Sequence, residues 1–455
     1  MEQSEHEDEI LKSEIISNSF DFFSKPALGI SEEESHFIKI SPNTSLDNEA
    51  PIIYDFDTDY SKYADLSQMF HFVQMKIVKS DNQDLGAVPD AGAGDEHKVA
   101  PICNFSNSFF ENVELYLNGT LIESSNNLYP YKSYLQTLLS YDTQMKGSQL
   151  QASGFYDDDG KNIDSDGVRN TMSANNCSNK NLYKRYELSK ASKSFVSLSP
   201  INLDICTQGK YIQNKTNIKI RFTRAHPKFC LIANDEAQNF KYIIERAFIM
   251  VRIVKPRESL RYAIDRSLQI LEAKYPMKNV TLRYFNFPQN TATLNEPNLY
   301  SGPMPTRICL GLIESTAQAG NYKKSPFNFQ PFKVQEIDLR KNGQSLTSDP
   351  LKIDVAKNDY LQPYFHLQNS IGGFLSNDSC IIPYENFKDG KFIYVFDLTS
   401  DYEHSLEQFH QPETGNLSIE IRLAEQHNQA LTLIVMLEHE TILTCNRDRQ
   451  YSLQK

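Results

Sequence analysis

From Phe240 to Val254 the chain runs FKYIIERAFIMVRIV, a near-continuous apolar stretch rich in β-branched and aromatic residues. Stopped by Pro256, it predicts a long strand buried on both faces. The period then changes. Leu260, Ile264, Leu268, Leu271 and Tyr275 recur at three- and four-residue steps, with Arg257, Glu258, Arg261, Asp265 and Arg266 mostly opposite. That spacing predicts an amphipathic helix over 256–276, ended by Pro276. Elsewhere short strand-like segments dominate: 51–56, 69–78, 113–117, 195–198, 218–222 and 229–232 before the helix, then 280–287, 307–313, 334–339, 392–398, 417–423 and 431–437 after it. Helical spacing also appears over Tyr131–Leu139, and two polar stretches, 81–98 and 154–181, read as long loops. Many strands, few helices and long loops predict an all-β chain of two sandwiches, not a βαβ fold.

The two halves resemble each other. Val113–Leu117 alternates and runs into Asn118-Gly119; Glu336–Arg340 alternates and reaches Asn342-Gly343, so the Asn-Gly pairs lie 224 residues apart. Tyr-Leu-Gln triplets begin at Tyr134 and Tyr360, and the alternating runs Ile218–Phe222 and Ile419–Leu423 come late in each half. Asn-Gly between alternating runs is a strong hairpin signal, because both turn residues need positive φ. Gly119 and Gly343 are therefore expected to be structural turns. The resulting division is an acidic N-terminal arm over 1–35, a first sandwich over 36–255, a linker helix over 256–276, and a second sandwich with a C-terminal tail over 277–455.

Length and composition fit that division. At 455 residues the chain can bury two cores of about 200 residues each. A net charge of −12 argues against binding nucleic acid over the whole surface. Seven scattered cysteines, none in Cys-x-x-Cys, argue against a disulfide framework and a zinc site, and point to folding in a reducing compartment. The acidic start does not read as a signal peptide, and no apolar run reaches the length of a membrane span.

Catalytic signatures are missing from the sequence: no Gly-x-Ser-x-Gly, no His-Glu-x-x-His, no Walker-type loop and no His-x-His pair. No catalytic, cofactor or metal residues are expected. Asp157-Asp158-Asp159-Gly160 and Asn162-x-Asp164-x-Asp166-Gly167 hint at calcium, but neither places Glu at the twelfth position of an EF-hand, so a solvated acidic loop is expected. The best basic patch is Lys180, Lys184, Arg185, Lys190 and Lys193, interleaved with Tyr183 and Tyr186. It is the candidate nucleic-acid face, set against a solvated strand face; Arg447 and Arg449 are a weaker candidate.

The run Val113-Glu114-Leu115-Tyr116-Leu117-Asn118-Gly119-Thr120-Leu121-Ile122, with Asn127-Leu128-Tyr129-Pro130-Tyr131-Lys132-Ser133-Tyr134-Leu135-Gln136 after it, resembles the major capsid proteins of Polinton (Maverick) elements and their adintovirus relatives. Pro200–Ile205, Lys219–Arg224, Pro326–Phe329, Phe396–Thr399 and Asn446–Arg449 resemble them too. The resemblance implies a double jelly-roll: two eight-stranded sandwiches in one chain, joined by a helix, with long loops and short helices. It also implies a homotrimeric capsomer tiling an icosahedral virion shell, a minor (penton) capsid protein as partner, packaged double-stranded DNA met only non-specifically, and no cofactor. The competing function is a β-sandwich attachment or minor capsid protein that binds carbohydrate or a receptor. A cupin-like metalloenzyme would need the histidine pair that this chain lacks.

Overall fold

The computed structural model describes residues 31–47, 49–86, 98–160, 163–164, 179–233, 239–371, 381–400 and 409–454. Strands of the first half are β1 (Glu32–Ile40), β2 (Ile52–Asp57), β3 (Tyr63–Lys79), β4 (Val99–Pro101), β5 (Phe110–Leu117), β6 (Thr120–Ser124), β7 (Phe195–Pro200), β8 (Asn217–Arg224), β9 (Leu231–Ala233) and β10 (Phe240–Pro256). Those of the second are β11 (Ala273–Phe287), β12 (Thr293–Pro303), β13 (Arg307–Glu314), β14 (Val334–Lys341), β15 (Gln344–Ser345), β16 (Leu351–Lys352), β17 (Ile393–Asp397), β18 (Thr414–Leu423), β19 (Leu431–Cys445) and β20 (Tyr451–Gln454). Four helices matter below: α1 (Tyr129–Ser140), α2 (Lys180–Ser189), α3 (Glu258–Ser267) and α4 (Leu361–Ser370).

Alternation along the strands builds the sandwiches. In β8, Ile218, Ile220 and Phe222 are buried while Lys219 and Arg221 face outward; in β18, Leu417, Ile419, Ile421 and Leu423 are the buried set. The first lobe stacks a sheet of order β1-β10-β3-β7 on one of order β2-β8-β5-β6. The second repeats this as β11-β19-β13-β17 on β12-β18-β14-β15, with β20 added beside β19 and β16 beside β14. Each position in one lobe thus has its counterpart in the other, with the same neighbours.

The repeat extends to single bonds. Asn118 and Gly119 turn β5 into β6 at φ 47° and 79°, and Asn342 and Gly343 turn β14 into β15 at φ 51° and 84°. Asn118 exchanges bonds with Asn217, its N–H donating to Asn217 O (2.9 Å) and its Oδ1 accepting from Asn217 N (2.7 Å). Asn342 makes the same pair with Asn416, at 2.8 and 2.9 Å. The Tyr-Leu-Gln triplets are looser: Tyr134 lies in the middle of α1, whereas Tyr360 is the N-cap of α4.

Three expectations need correction. The predicted helix over 256–276 is α3 alone, and the chain is already a strand from Ala273, with Tyr275 and Met277 buried. Pro276 sits inside that strand because β11 is at the sheet edge, where a missing N–H can face away from the ladder. Apolar side chains on α3 and just after it also face solvent: Leu260 and Tyr262 of the helix, and Ile270 and Leu271 beyond its end, are exposed, while Leu268 and Arg261 are buried, the Arg261 guanidinium 4.5 Å from the Tyr60 ring centroid. Second, β10 is not buried on both faces; Arg246 is exposed and Ile243 and Met250 are half-buried on its outer side. Third, β1 begins at Glu32, so the strand takes residues assigned to the arm, and Pro227–Cys230 is a short helix ahead of β9. The rest of the arm and most of the two long polar stretches lie outside the described residues.

The lobes share one continuous hydrophobic core. At the seam Tyr134 of α1 stacks on Phe327 of the second lobe, centroids 4.2 Å apart and planes 1° from parallel. Tyr131 meets the same ring edge-on at 5.8 Å. Tyr322 accepts from Ala233 N through its carbonyl (2.9 Å), and its hydroxyl accepts from Phe240 N (3.1 Å). A glycine permits a further close approach: a Cβ on Gly160 would lie 1.5 Å from the Asp389 carbonyl oxygen.

Candidate assembly surface

The basic patch does not assemble into a nucleic-acid face. Lys180, Lys184 and Arg185 lie on α2 and Lys190 just beyond it, so the element is a helix and not a strand; Asn179 caps it, its side chain accepting from Leu182 N at 3.1 Å. Lys180, Lys184 and Lys193 are exposed, and Lys190 reaches Glu187 at 3.6 Å. Arg185 is fully buried and is removed from the candidate set. Its guanidinium donates to Pro101 O (2.8 Å), Tyr156 O (2.9 Å) and the Asp158 carboxylate (2.8 Å), pinning α2 to β4 and to the acidic stretch. Arg449 is likewise structural, donating to Asn214 Oδ1 (2.6 Å) and Asp265 (3.1 Å) across the seam, while Arg447 is exposed beside Asp448.

The acidic stretch is stapled to protein groups. Asp157 accepts from Lys391 Nζ at 2.5 Å, and Asp164 accepts from Ser325 N at 2.7 Å and from Asn328. Among the described residues no three His, Cys, Asp or Glu side chains converge to hold a metal ion. No described helix is long and apolar enough to cross a membrane. A cleft of about 870 Å³ is bordered by Arg283, Tyr300, His410 and His439 of the second lobe. There His410 Nδ1 pairs with Glu440 at 2.8 Å.

What the outside of the molecule offers instead is apolar surface. On the outer side of the first lobe, register aligns Leu198 of β7 with Phe72 of β3 and Phe248 of β10. The two phenylalanine rings stack at 4.4 Å, and Lys39 Nζ lies 4.2 Å from the Phe248 centroid. Arg246 lies 5.3 Å from that same centroid. Beside this row Val196, Leu198 and Phe37 are 60%, 38% and 47% exposed. In the second lobe α4 packs on β17 and presents Leu361 and Phe365, close to Tyr384, which stacks on Tyr360 at 5.0 Å. The connecting helix and the residues just after it add a third patch, Tyr262, Ile270 and Leu271. Aromatic and aliphatic patches rimmed by Lys and Arg have the composition of protein interfaces. Strand alternation alone could have flagged Val196 and Leu198, since FVSLSP places them opposite Phe195 and Ser197.

No family model matches the chain. It is 24% identical over 352 residues to an uncharacterized protein of Caenorhabditis elegans, a match covering 76% of this chain and 79% of that protein. The fold is similar to a chain in a cryo-EM structure of the Sputnik virophage, with TM-score 0.63 and 12% identity over 97% of this chain and 92% of that one. It is similar also to the mavirus major capsid protein (TM-score 0.52, 11% identity, 97% and 94% covered) and the Faustovirus major capsid protein (0.53, 9%, 95% and 93%). These similarities run through both lobes and the helix between them, and the fold of this chain is accordingly the double jelly-roll.

Proposed function

We propose that this chain is the major capsid protein of a virus or element of the Polinton/Maverick kind, and that its role is structural, not enzymatic. The observation that carries this reading is the pair of lobes with matching strand order in one chain, in a fold shared over 97% of the chain with a virophage protein. Three chains about a threefold axis present six comparable lobes, a shape that packs hexagonally. Cyclic symmetry needs a head-to-tail contact between unlike surfaces. The lobes supply these: the sheet face around Phe72 and Leu198 on the first, the α4 patch around Leu361 and Phe365 on the second. Capsomers so built would tile an icosahedral shell around double-stranded DNA, with a penton protein at the vertices. The exposed lysines of α2 would meet DNA non-specifically if they face inward. Assembly would take place inside the host cell, in a reducing compartment, and the mature location is the virion capsid.

Light scattering coupled to size exclusion tests this directly. Three chains of 52.2 kDa give a particle of about 157 kDa, and negative-stain images should show pseudo-hexagonal particles or shells. A monomer at micromolar concentration with no larger particles would overturn the capsomer reading and favour an attachment protein.

A further inference from the structure

Where the two lobes meet, three ionisable side chains come together out of reach of water. Glu123 is the penultimate residue of β6, Lys132 lies in the first turn of α1, and Asp204 opens a short turn ahead of β8; their side chains are 4%, 1% and 0% exposed. Lys132 Nζ is 2.5 Å from Glu123 Oε1 and 2.6 Å from Asp204 Oδ1. Glu123 Oε2 accepts from the Asp204 N–H at 2.8 Å. The other carboxylate oxygen of Asp204, Oδ2, accepts from Val280 N (2.9 Å) and Asn279 Nδ2 (3.0 Å), both on β11 of the second lobe.

Two carboxylates share one ammonium here, in a site too dry to tolerate an unbalanced charge. The shortage of positive charge is met by retaining a proton. Burial, followed by the charge of Glu123, pushes Asp204 up to about 7. The residues thus hold a lysine that burial would discharge but that the two carboxylates keep as its ammonium, a carboxylic acid, a second carboxylate touching the ammonium, and two N–H donors on the Asp204 oxygen that faces away from it.

We propose that Lys132 and Asp204 condense to an isopeptide bond between Nζ and Cγ, with Glu123 as the proton carrier. The Lys132 ammonium gives a proton to Glu123 and becomes a free amine. An amine hydrogen-bonded to a carboxyl oxygen is within about 3–3.5 Å of the carbon it attacks. Attack on the protonated Asp204 carboxyl puts negative charge on Oδ2, where the Val280 N–H and the Asn279 amide already donate. Glu123 returns its proton to Oδ1, which leaves as water, and takes a proton from the new C–N nitrogen. The products are a neutral amide, a protonated Glu123 and one water; no oxidant or co-reactant enters. The amide carbonyl retains the bonds to Val280 and Asn279, so a covalent link spanning 72 residues of the first lobe would also hold the second. Such a link is indifferent to reductant, unlike a disulfide.

Intact-mass spectrometry of the full chain, purified folded, reads the step directly. The expected mass is lower than that of the sequence by about 18 Da, one water, with a proteolytic pair joined through Lys132 and Asp204. Glu123→Gln should restore the variant's own sequence mass, as should Asp204→Ala. The wild-type measurement decides by itself should a variant fail to fold. Full sequence mass with unlinked Lys132 and Asp204 peptides, after incubation on both sides of neutrality, would overturn the proposal, as would a water loss mapped to any other residues.

Discussion

His71 sits in the core of the first lobe, its Nε2 2.9 Å from the Tyr54 hydroxyl and its ring 4.5 Å from that of Phe222. Burial pushes it down to about 3 from its ordinary 6.5. The unfolded chain therefore takes up a proton below 6.5 that the folded chain refuses until about 3. Stability supplied by the neutral ring is lost as pH falls through that window, by about 1.4 kcal/mol per pH unit. Asp204 has the opposite sign: the folded chain keeps its proton up to about 7, the unfolded chain releases it near 3.8, and stability falls as pH rises between them. Where the proposed Lys132–Asp204 bond has formed, that second titration is absent and the histidine trend stands alone. Urea midpoints across acid pH should thus fall in the wild type and flatten in His71→Phe. Glycines separate two kinds of constraint. A Cβ on Gly119 or Gly343 meets nothing within 4 Å, so alanine there incurs only the positive-φ cost, about 1–2 kcal/mol. Gly311 has an ordinary φ, but a Cβ there would lie 2.3 Å from the Phe329 ring. Gly311→Ala should cost about 1–3 kcal/mol through overpacking and should be relieved by Phe329→Leu, which Gly119→Ala should not. Calorimetry of the single and double variants checks both.

At the scale of elements, α2 shows how far composition can mislead. Its lysines and arginine look alike in the sequence, yet Arg185 makes three buried contacts and Lys184 is solvated. Arg185→Ala should cost about 3–5 kcal/mol, because it leaves the Asp158 carboxylate buried without its cation. Lys184→Ala should stay within about 0.5 kcal/mol; equal unfolding midpoints for the two variants would refute the assignment. The partners of Arg185 were illegible because two are backbone carbonyls, which no residue type announces. The helix expected over 256–276 ends early for a different reason. Leu268, Leu271 and Tyr275 fit a 3.6-residue period, but Tyr275 and Met277 also fit a 2-residue one. Pairing with β19 decides in favour of the strand, and only the sheet reveals that Pro276 lies on an edge. Strands with clean alternation before turn residues, such as β8, β18 and the Val113–Leu117 end of β5, are readable because local pattern and tertiary burial agree there.

At the scale of the molecule, the repeat was readable from its turns. Asn-Gly pairs fix φ locally, and the same residue type then makes the same cross-strand bonds, Asn118 with Asn217 and Asn342 with Asn416. The outer surface was less readable, since its aromatic face comes from three strands distant in sequence, β3, β7 and β10, brought into register only by folding. A capsomer held without disulfides or metals needs a large contact, about 2,000 Å² or more, with an apolar centre. Leu198 lies beside the stacked Phe72 and Phe248 rings and is already 38% exposed in the single chain. A carboxylate there adds little strain to the monomer but would be desolvated in a trimer next to aromatic rings. Leu198→Glu should therefore leave the unfolding free energy of the isolated chain within about 1 kcal/mol of wild type. By light scattering it should shift the mass from about 157 kDa toward the 52.2 kDa of one chain. Leu361→Glu in the second lobe should do the same, because a head-to-tail contact uses one patch from each lobe. An unchanged trimer in both variants would mean that the threefold contact uses other surfaces, with the exposed side of α3 the next to test.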